Sequence, residues 1–237
     1  MSKPYKDYEP KWITEAPNPR SFRSIMKWGD PNKYKAPKEG LYKLIKSIFS
    51  LSDDDFKTMV DTGEQLVDVH VESALTKEQI ELVKTTVPVL REHGVALISH
   101  FYKRMLSHNP ELMQVFNMGH QRAGFQQQAL AGSVLAYAEN IENLKPLLGA
   151  VAHIANKHVS VGIRAEHYPI VGKHLIASIK DVLGEAATPE LIDAWTAAYT
   201  RLADILIGAE KNIYDKNAVV EGGWTGWRIF NVAEKSK

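Results

Sequence analysis

His158 is the side chain whose position in this 237-residue chain most clearly suggests metal chemistry. Leu147, Val151 and Ile154 precede it at intervals of four, three and four residues, which places all four side chains on one helix face. An imidazole on an apolar face points toward the core, where its ring nitrogens need partners. The pattern fits a core histidine bonded to a backbone carbonyl, the commoner arrangement. It also fits a metal ligand such as that of a haem iron.

Tyr102 and Gln126 are two further polar side chains that lie within apolar helical faces. Their apolar neighbours are Val95, Ile98 and Met105 for the tyrosine, and Leu130 and Val134 for the glutamine. A buried tyrosine usually reaches a carbonyl with its hydroxyl, and a single glutamine in such a line is usually a boundary residue. A phenol and an amide from two separate helices can also donate hydrogen bonds to one small ligand in an apolar pocket.

The residues from Thr76 onward show helical periodicity without the alternation of a β-strand. Thr76 and Gln79 form a predicted capping box, and Asn or Thr before Pro marks later helix starts. We predict seven helices that begin near Thr76, after Gly94, at Asn109-Pro110, near Gln121, near Pro146, at Pro169 and at Thr188-Pro189; the fourth ends near Tyr137 and the last near Tyr214. Seven helices without an internal repeat predict an all-α, globin-like domain.

The first 75 residues differ in composition from this helical region. Six of the eleven prolines lie at or before Pro37, so residues 1–40 are expected to be irregular and to precede two short helices. Residues 1–50 carry 11 Lys and Arg against 5 Asp and Glu, whereas residues 51–75 carry 1 against 7. We interpret this extension as a docking module or dimer-forming arm, or as a cover for the main domain with solvated outer faces.

Composition excludes several classes of function. The absence of cysteine excludes disulfides, thiolate haem ligation, iron–sulfur clusters and a cysteine nucleophile. A net charge of +1 gives no reason to expect nucleic acid or acidic lipid as a partner. The polar start and the lack of an apolar run of about 18–20 residues predict a cytoplasmic protein without a membrane segment.

Eight stretches of the sequence occur in the order and at the spacing of one known family. They are VKTTVPVLREHG, HFYKRMLSHNPEL, FNMGHQR, ENIENL, KHVSVGI, EHYPIVGKHL, LIDAWTAAY and GGWTGWR. Together they resemble the globin domain of flavohaemoglobins and of single-domain bacterial haemoglobins over residues 76–228. The resemblance implies a three-over-three helical sandwich in residues 76–214 that binds haem b, after an extension in residues 1–75.

The resemblance also implies roles for residues on the distal, ligand-binding side of the haem. Tyr102 matches the tyrosine that hydrogen-bonds bound dioxygen, and Gln126 matches a glutamine that assists it. Phe116 matches the phenylalanine that packs on the porphyrin face. Leu130 matches the apolar side chain that restricts ligand access, and with Phe116 and Val171 it is expected to form apolar walls.

On the proximal side, the resemblance implies that His158 binds the iron and that Tyr168 orients the ligating ring. The family also has a glutamate on its last helix that bonds this histidine. At the position that we match to it, directly before Ile213, the chain has Asn212. Glu210 lies two residues earlier, about 200° around the helix, and we expect it not to substitute. An amide adds no charge to the histidine, so we expect a proximal side closer to that of an oxygen carrier.

Residues 215–237 form a polar tail in which GGWTGWR matches the start of the family's flavin reductase domain. The sequence continues for ten residues beyond Trp227 and contains no Gly-rich dinucleotide fingerprint. We therefore expect no FAD or NAD site in this chain. We expect electrons from an external flavin reductase.

Three hypotheses for function follow. The first is a nitric oxide dioxygenase that binds dioxygen and nitric oxide and depends on that external reductase. The second is a dioxygen carrier or storage protein without enzymatic turnover. The third is a haem-based gas sensor that signals through residues 1–75.

Overall fold

Seven α-helices form the part of the chain that the computed structural model describes, residues 75–226 and 228–235. They are α1 (Lys77–Thr85), α2 (Val87–His108), α3 (Met118–Ala123), α4 (Phe125–Glu139), α5 (Leu148–Ser160), α6 (Tyr168–Leu183) and α7 (Pro189–Val219). Short 3₁₀ segments occupy Pro110–Gln114, Lys145–Leu147, Ala165–His167 and Gly184–Ala186. These described ranges contain no β-strand, which confirms the all-α prediction. The irregular segment and short helices expected before residue 75 lie outside them.

The first two helices meet at Thr86 rather than at Gly94. The predicted capping box is present: the Gln79 backbone amide donates to Thr76 Oγ1 at 3.2 Å, and the Thr76 amide donates to Gln79 Oε1 at 3.0 Å. Pro88 lies in the first turn of α2, a position where the missing N–H costs no hydrogen bond. The expected helix start after Gly94 is therefore wrong. Gly94 lies inside α2, where it faces Ala131 on α4.

Gly124 divides the helix that we expected to run from Gln121 to Tyr137. Its φ of 77° is in the left-handed region, which ends α3 at Ala123 and redirects the chain into α4. The short helix expected at Asn109-Pro110 is a 3₁₀ segment. The last helix begins as predicted, because Thr188 Oγ1 accepts from the Leu191 amide at 3.3 Å. It continues beyond Tyr214 to Val219.

The buried side chains form two clusters. The larger, distal cluster joins α2, α4, α6 and the first half of α7, and it contains Tyr102. The smaller, proximal cluster joins α5, the turn after it and the second half of α7, and it contains Tyr168. Leu144, Tyr199 and Leu202 pack against both clusters. None of the helices in residues 75–226 is long and apolar enough to cross a bilayer.

We predict that Gly172→Ala destabilises the protein by about 1–3 kcal/mol. A Cβ atom at Gly172 would lie 2.5 Å from Cε1 of Tyr199, so this ring would have to move. Gly94→Ala is the matched control, because a Cβ there would lie 3.6 Å from Ala131 Cβ, an ordinary contact. Because alanine has a higher helix propensity than glycine, Gly94→Ala should leave the free energy of unfolding unchanged or raise it by up to about 1 kcal/mol. Urea denaturation measures both, and equal losses would contradict the prediction.

Candidate functional site

The end of α5 fixes the backbone of His158. The Ile163 amide donates to the His158 carbonyl at 3.0 Å, and the Gly162 amide donates to the Val159 carbonyl at 3.1 Å. These two bonds form a Schellman motif, which needs a left-handed residue, and Gly162 supplies it with a φ of 80°. The motif places the imidazole in the last turn of the helix and returns the chain toward α6.

His158, Tyr168 and Glu210 form one hydrogen-bonded group. His158 Nδ1 lies 2.6 Å from Glu210 Oε1 and 3.2 Å from the Tyr168 hydroxyl, which donates to the same carboxylate oxygen. A carboxylate only accepts hydrogen bonds, so Nδ1 carries a proton, and in the neutral ring Nε2 is then the nitrogen with the lone pair. Nε2 makes no hydrogen bond to the described residues, and the His158 side chain is 32% exposed. This is the tautomer that a metal ligand requires.

Glu210 corrects our expectation for the proximal side. The expected substitution of the glutamate by Asn212 is wrong, because Glu210 bonds the histidine and is only 3% exposed, whereas Asn212 is exposed. Ala203, Leu206 and Ile213 are buried with Glu210 at intervals of three, four and three residues. Position 210 is therefore on the inner face of α7, and position 212 is on its outer face. This spacing was visible in the sequence.

Tyr168 is held as a protonated donor. Burial, followed by the negative charge of Glu210, raises the pKa of the Tyr168 phenol far above its usual value of 10. Its backbone is also fixed, because the Tyr199 hydroxyl donates to the Tyr168 carbonyl at 2.6 Å. The phenol therefore supplies a permanent hydrogen bond that orients the carboxylate of Glu210 toward the imidazole.

On the distal side the structure brings Tyr102, Phe116 and Gln126 together. Tyr102 is 2% exposed, and its ring centroid lies 5.7 Å from that of Phe116 in an edge-on contact. Burial raises the pKa of the Tyr102 phenol well above 10, and the side chains of Gln126 and Gln121 act in the opposite direction. The phenol remains protonated at neutral pH and can donate one hydrogen bond.

Gln121 is a distal residue that the sequence reasoning missed. It is 2% exposed, and its Oε1 accepts from Gln127 Nε2 at 3.0 Å. Its own Nε2 is buried without a hydrogen-bond partner of ordinary geometry among the described residues. The Gln121 side chain acts on the Tyr102 phenol, which places this buried amide beside the distal donor. Gln121 belongs to the stretch FNMGHQR, but helical periodicity alone gave no reason to select it.

The apolar residues expected on the distal side all contact one of the two buried clusters. Phe116, Leu130 and Val171 are partly buried and pack against the distal cluster. Tyr168, the partner of His158, belongs to the proximal cluster. The expected proximal and distal residues therefore divide between the two clusters of the core.

A globin family model matches residues 99–206. A bacterial globin from Campylobacter jejuni is 42% identical, with a TM-score of 0.57, and the match covers 59% of this chain and 99% of that one. The chain belongs to the globin family. The three-over-three globin fold predicted from the sequence is thereby confirmed.

The curated relatives that it matches are longer proteins. The flavohemoprotein of Bordetella pertussis is 63% identical over 162 residues, which are 68% of this chain and 40% of that protein. An engineered carbene transferase made from a candidate nitric oxide dioxygenase of Rhodothermus marinus is 34% identical, with a TM-score of 0.58 over 61% of this chain and 99% of that one. The chain thus spans about 40% of the length of the flavohemoproteins.

A globin implies a haem group, and the residues present fit one. His158 offers an unpaired Nε2 with a fixed tautomer, and Gln121 offers an unpaired buried donor. Partly buried apolar side chains, Phe116 and Leu130 among them, provide surface for a flat hydrophobic macrocycle.

We predict that Glu210→Gln lowers the iron–histidine stretching frequency of the haem-loaded ferrous protein, because the amide removes the negative charge beside Nδ1. Asn212→Asp is the control. It adds a charge two residues away on the exposed face of α7 and should leave the frequency unchanged. Resonance Raman spectroscopy measures both. Similar shifts in the two variants would contradict the assignment of Glu210.

Proposed function

We propose that residues 76–214 form a haem b domain that binds dioxygen and nitric oxide and converts them to nitrate, with electrons from a separate reductase. His158 is the proposed iron ligand. The observation that carries the proposal is the buried Glu210 carboxylate 2.6 Å from His158 Nδ1, with the buried Tyr102 phenol in the opposite cluster. Bound haem would supply a ferrous iron that binds both gases and changes oxidation state.

The proximal residues favour redox chemistry over simple carriage. Hydrogen bonding to a carboxylate increases the electron-donating power of an imidazole, and burial of Glu210 keeps this interaction little screened by water. The expectation of a proximal side closer to that of an oxygen carrier rested on the neutral Asn212, and it does not hold because Glu210 supplies the charge.

The distal residues favour tight binding of a polar diatomic ligand. Tyr102 is a protonated donor in an apolar setting, and the amides of Gln126 and Gln121 are close to it. One such hydrogen bond contributes about 1–3 kcal/mol, or roughly one to two powers of ten in dissociation rate. Phe116, Leu130 and Val171 would exclude water from the ligand.

The source of electrons is the part of the proposal that rests on relatives alone. Proteins named flavohemoprotein match this chain over 40% of their length. We propose that a flavin reductase, separate from the residues described here, returns the ferric haem to the ferrous state.

The decisive experiment mixes the dioxygen-loaded ferrous protein with nitric oxide. We expect about one nitrate per haem in the first turnover, and continued nitrate formation after a flavin reductase and its reduced nicotinamide are added. Absence of nitrate would contradict the enzymatic proposal. One nitrate without turnover would favour the dioxygen carrier. His158→Ala is the control for ligation: if it keeps a histidine-ligated spectrum, His158 is not the ligand and His153 is the next candidate.

We predict that Tyr102→Phe accelerates dioxygen dissociation by roughly 10- to 100-fold, because the donor hydroxyl is lost. The control is Gln128→Leu, a change on the same helix as Gln126 but at an exposed position. Its dissociation rate should equal that of the wild type. Stopped-flow displacement of dioxygen by carbon monoxide measures the rates. An unchanged rate in Tyr102→Phe would remove this phenol from ligand binding.

A further inference from the structure

The segment between α5 and α6 connects His158, in the last turn of α5, to Tyr168, the first residue of α6. We call residues 161–167 the proximal corner; His158 lies just before it and Tyr168 directly after it. The Ile163 amide already bonds the His158 carbonyl at 3.0 Å, and Ile163 is buried. A shift of the Ile163 backbone would therefore move the last turn of α5 and with it the imidazole.

Tyr214 bonds the carbonyl group of the same residue, Ile163. Its hydroxyl donates to the Ile163 carbonyl at 2.6 Å. Tyr214 follows Glu210 by four residues, so both side chains project from one face of α7. Helix α7 thus contacts the His158 ring through Glu210 and the backbone carbonyl of Ile163 through Tyr214. Because these two contacts are one helical turn apart on α7, together they prevent the proximal corner from rotating relative to α7, whereas one contact would allow that rotation.

Arg164 holds the ring of Tyr214. Its guanidinium carbon lies 3.9 Å from the centroid of the Tyr214 ring, within the range of a cation–π contact. The Arg164 backbone amide donates to His167 Nδ1 at 3.0 Å, which fixes the residue inside the corner.

We propose that Tyr214 and Arg164 are positioning residues for His158, which hold the proximal corner so that Nδ1 stays in reach of Glu210. This inference rests on the proposed ligation of haem by His158. We call the two residues the proximal clamp.

The surroundings of Tyr214 suit this role. Burial raises the pKa of the Tyr214 phenol, with Arg164 lowering it and Glu210 raising it. The hydroxyl therefore stays protonated and remains a donor. The Nδ1–Oε1 distance of 2.6 Å is short, and hydrogen-bond strength falls steeply as such a distance or angle departs from its optimum. A small rotation of the ring would reduce the charge donated to the iron.

The test uses Tyr214→Phe, which removes only the hydroxyl. We expect the iron–histidine band of the haem-loaded ferrous protein to move to lower frequency and to broaden. Arg164→Gln should shift the band in the same direction by less, and Arg164→Lys, which keeps the cation, should restore it in part. Tyr137→Phe is the matched control, because the Tyr137 hydroxyl also donates to a backbone carbonyl, that of Ala198 at 2.9 Å, but in another part of the core.

A second measurement requires no haem. Hydrogen exchange of the haem-free protein should show the Ile163 amide exchanging roughly fivefold faster or more in Tyr214→Phe, and unchanged in Tyr137→Phe. If Ile163 exchanges faster while the iron–histidine band stays in place, the corner is held by Tyr214 but does not position His158, and the proposal is overturned. If instead the wild-type protein shows no iron–histidine band, the proposed ligation of haem by His158 is wrong. In that case, unchanged exchange of the Ile163 amide in Tyr214→Phe would also contradict the proposal that Tyr214 holds the proximal corner.

Discussion

The hydrogen bond between His158 and Glu210 is the interaction on which the proximal half of the molecule depends. A carboxylate that is 3% exposed must be paired, since an unpaired buried charge is strongly destabilising. Its two partners come from the end of α5 and the start of α6. Those helices and α7 must therefore keep one mutual arrangement, which the Schellman motif at Gly162 and the bond from Tyr199 to Tyr168 support.

The two sides of the site differ in charge and in hydrogen-bonding character. The proximal side holds an anion that polarises an imidazole, whereas the distal side holds neutral donors, the Tyr102 phenol and the amides of Gln121 and Gln126. Under the proposed function, electron density moved from the proximal side meets hydrogen-bond donors on the distal side. The proximal and distal sides would then reinforce each other, because bound dioxygen that carries more electron density accepts a stronger hydrogen bond.

Much of the fold followed from periodicity, and the errors have identifiable causes. The capping box at Thr76 and the helix start at Thr188 are local signals, and both were predicted correctly. Gly94 suggests a break by its type alone although it lies inside α2, whereas Gly124 is a true break because its φ is in the left-handed region. The inner face of α7 can be calculated from the spacing of its apolar residues, and this spacing selects Glu210. The match of Asn212 to the family glutamate used only its position before Ile213. Gln121 could not be found, because an unpaired amide is visible only once its neighbours are placed.

The division of the core into two clusters has a consequence for how the chain assembles. Among the described residues, only Leu144, Tyr199 and Leu202 are partly buried hydrophobic residues that pack against both clusters, so the clusters share little apolar surface without a further group. A ligand that binds the native state alone adds its binding free energy to folding. A prosthetic group in contact with both clusters would join two weakly coupled units into one cooperative unit. Acquisition of the cofactor would then be the last step of maturation, and its loss the first step of unfolding.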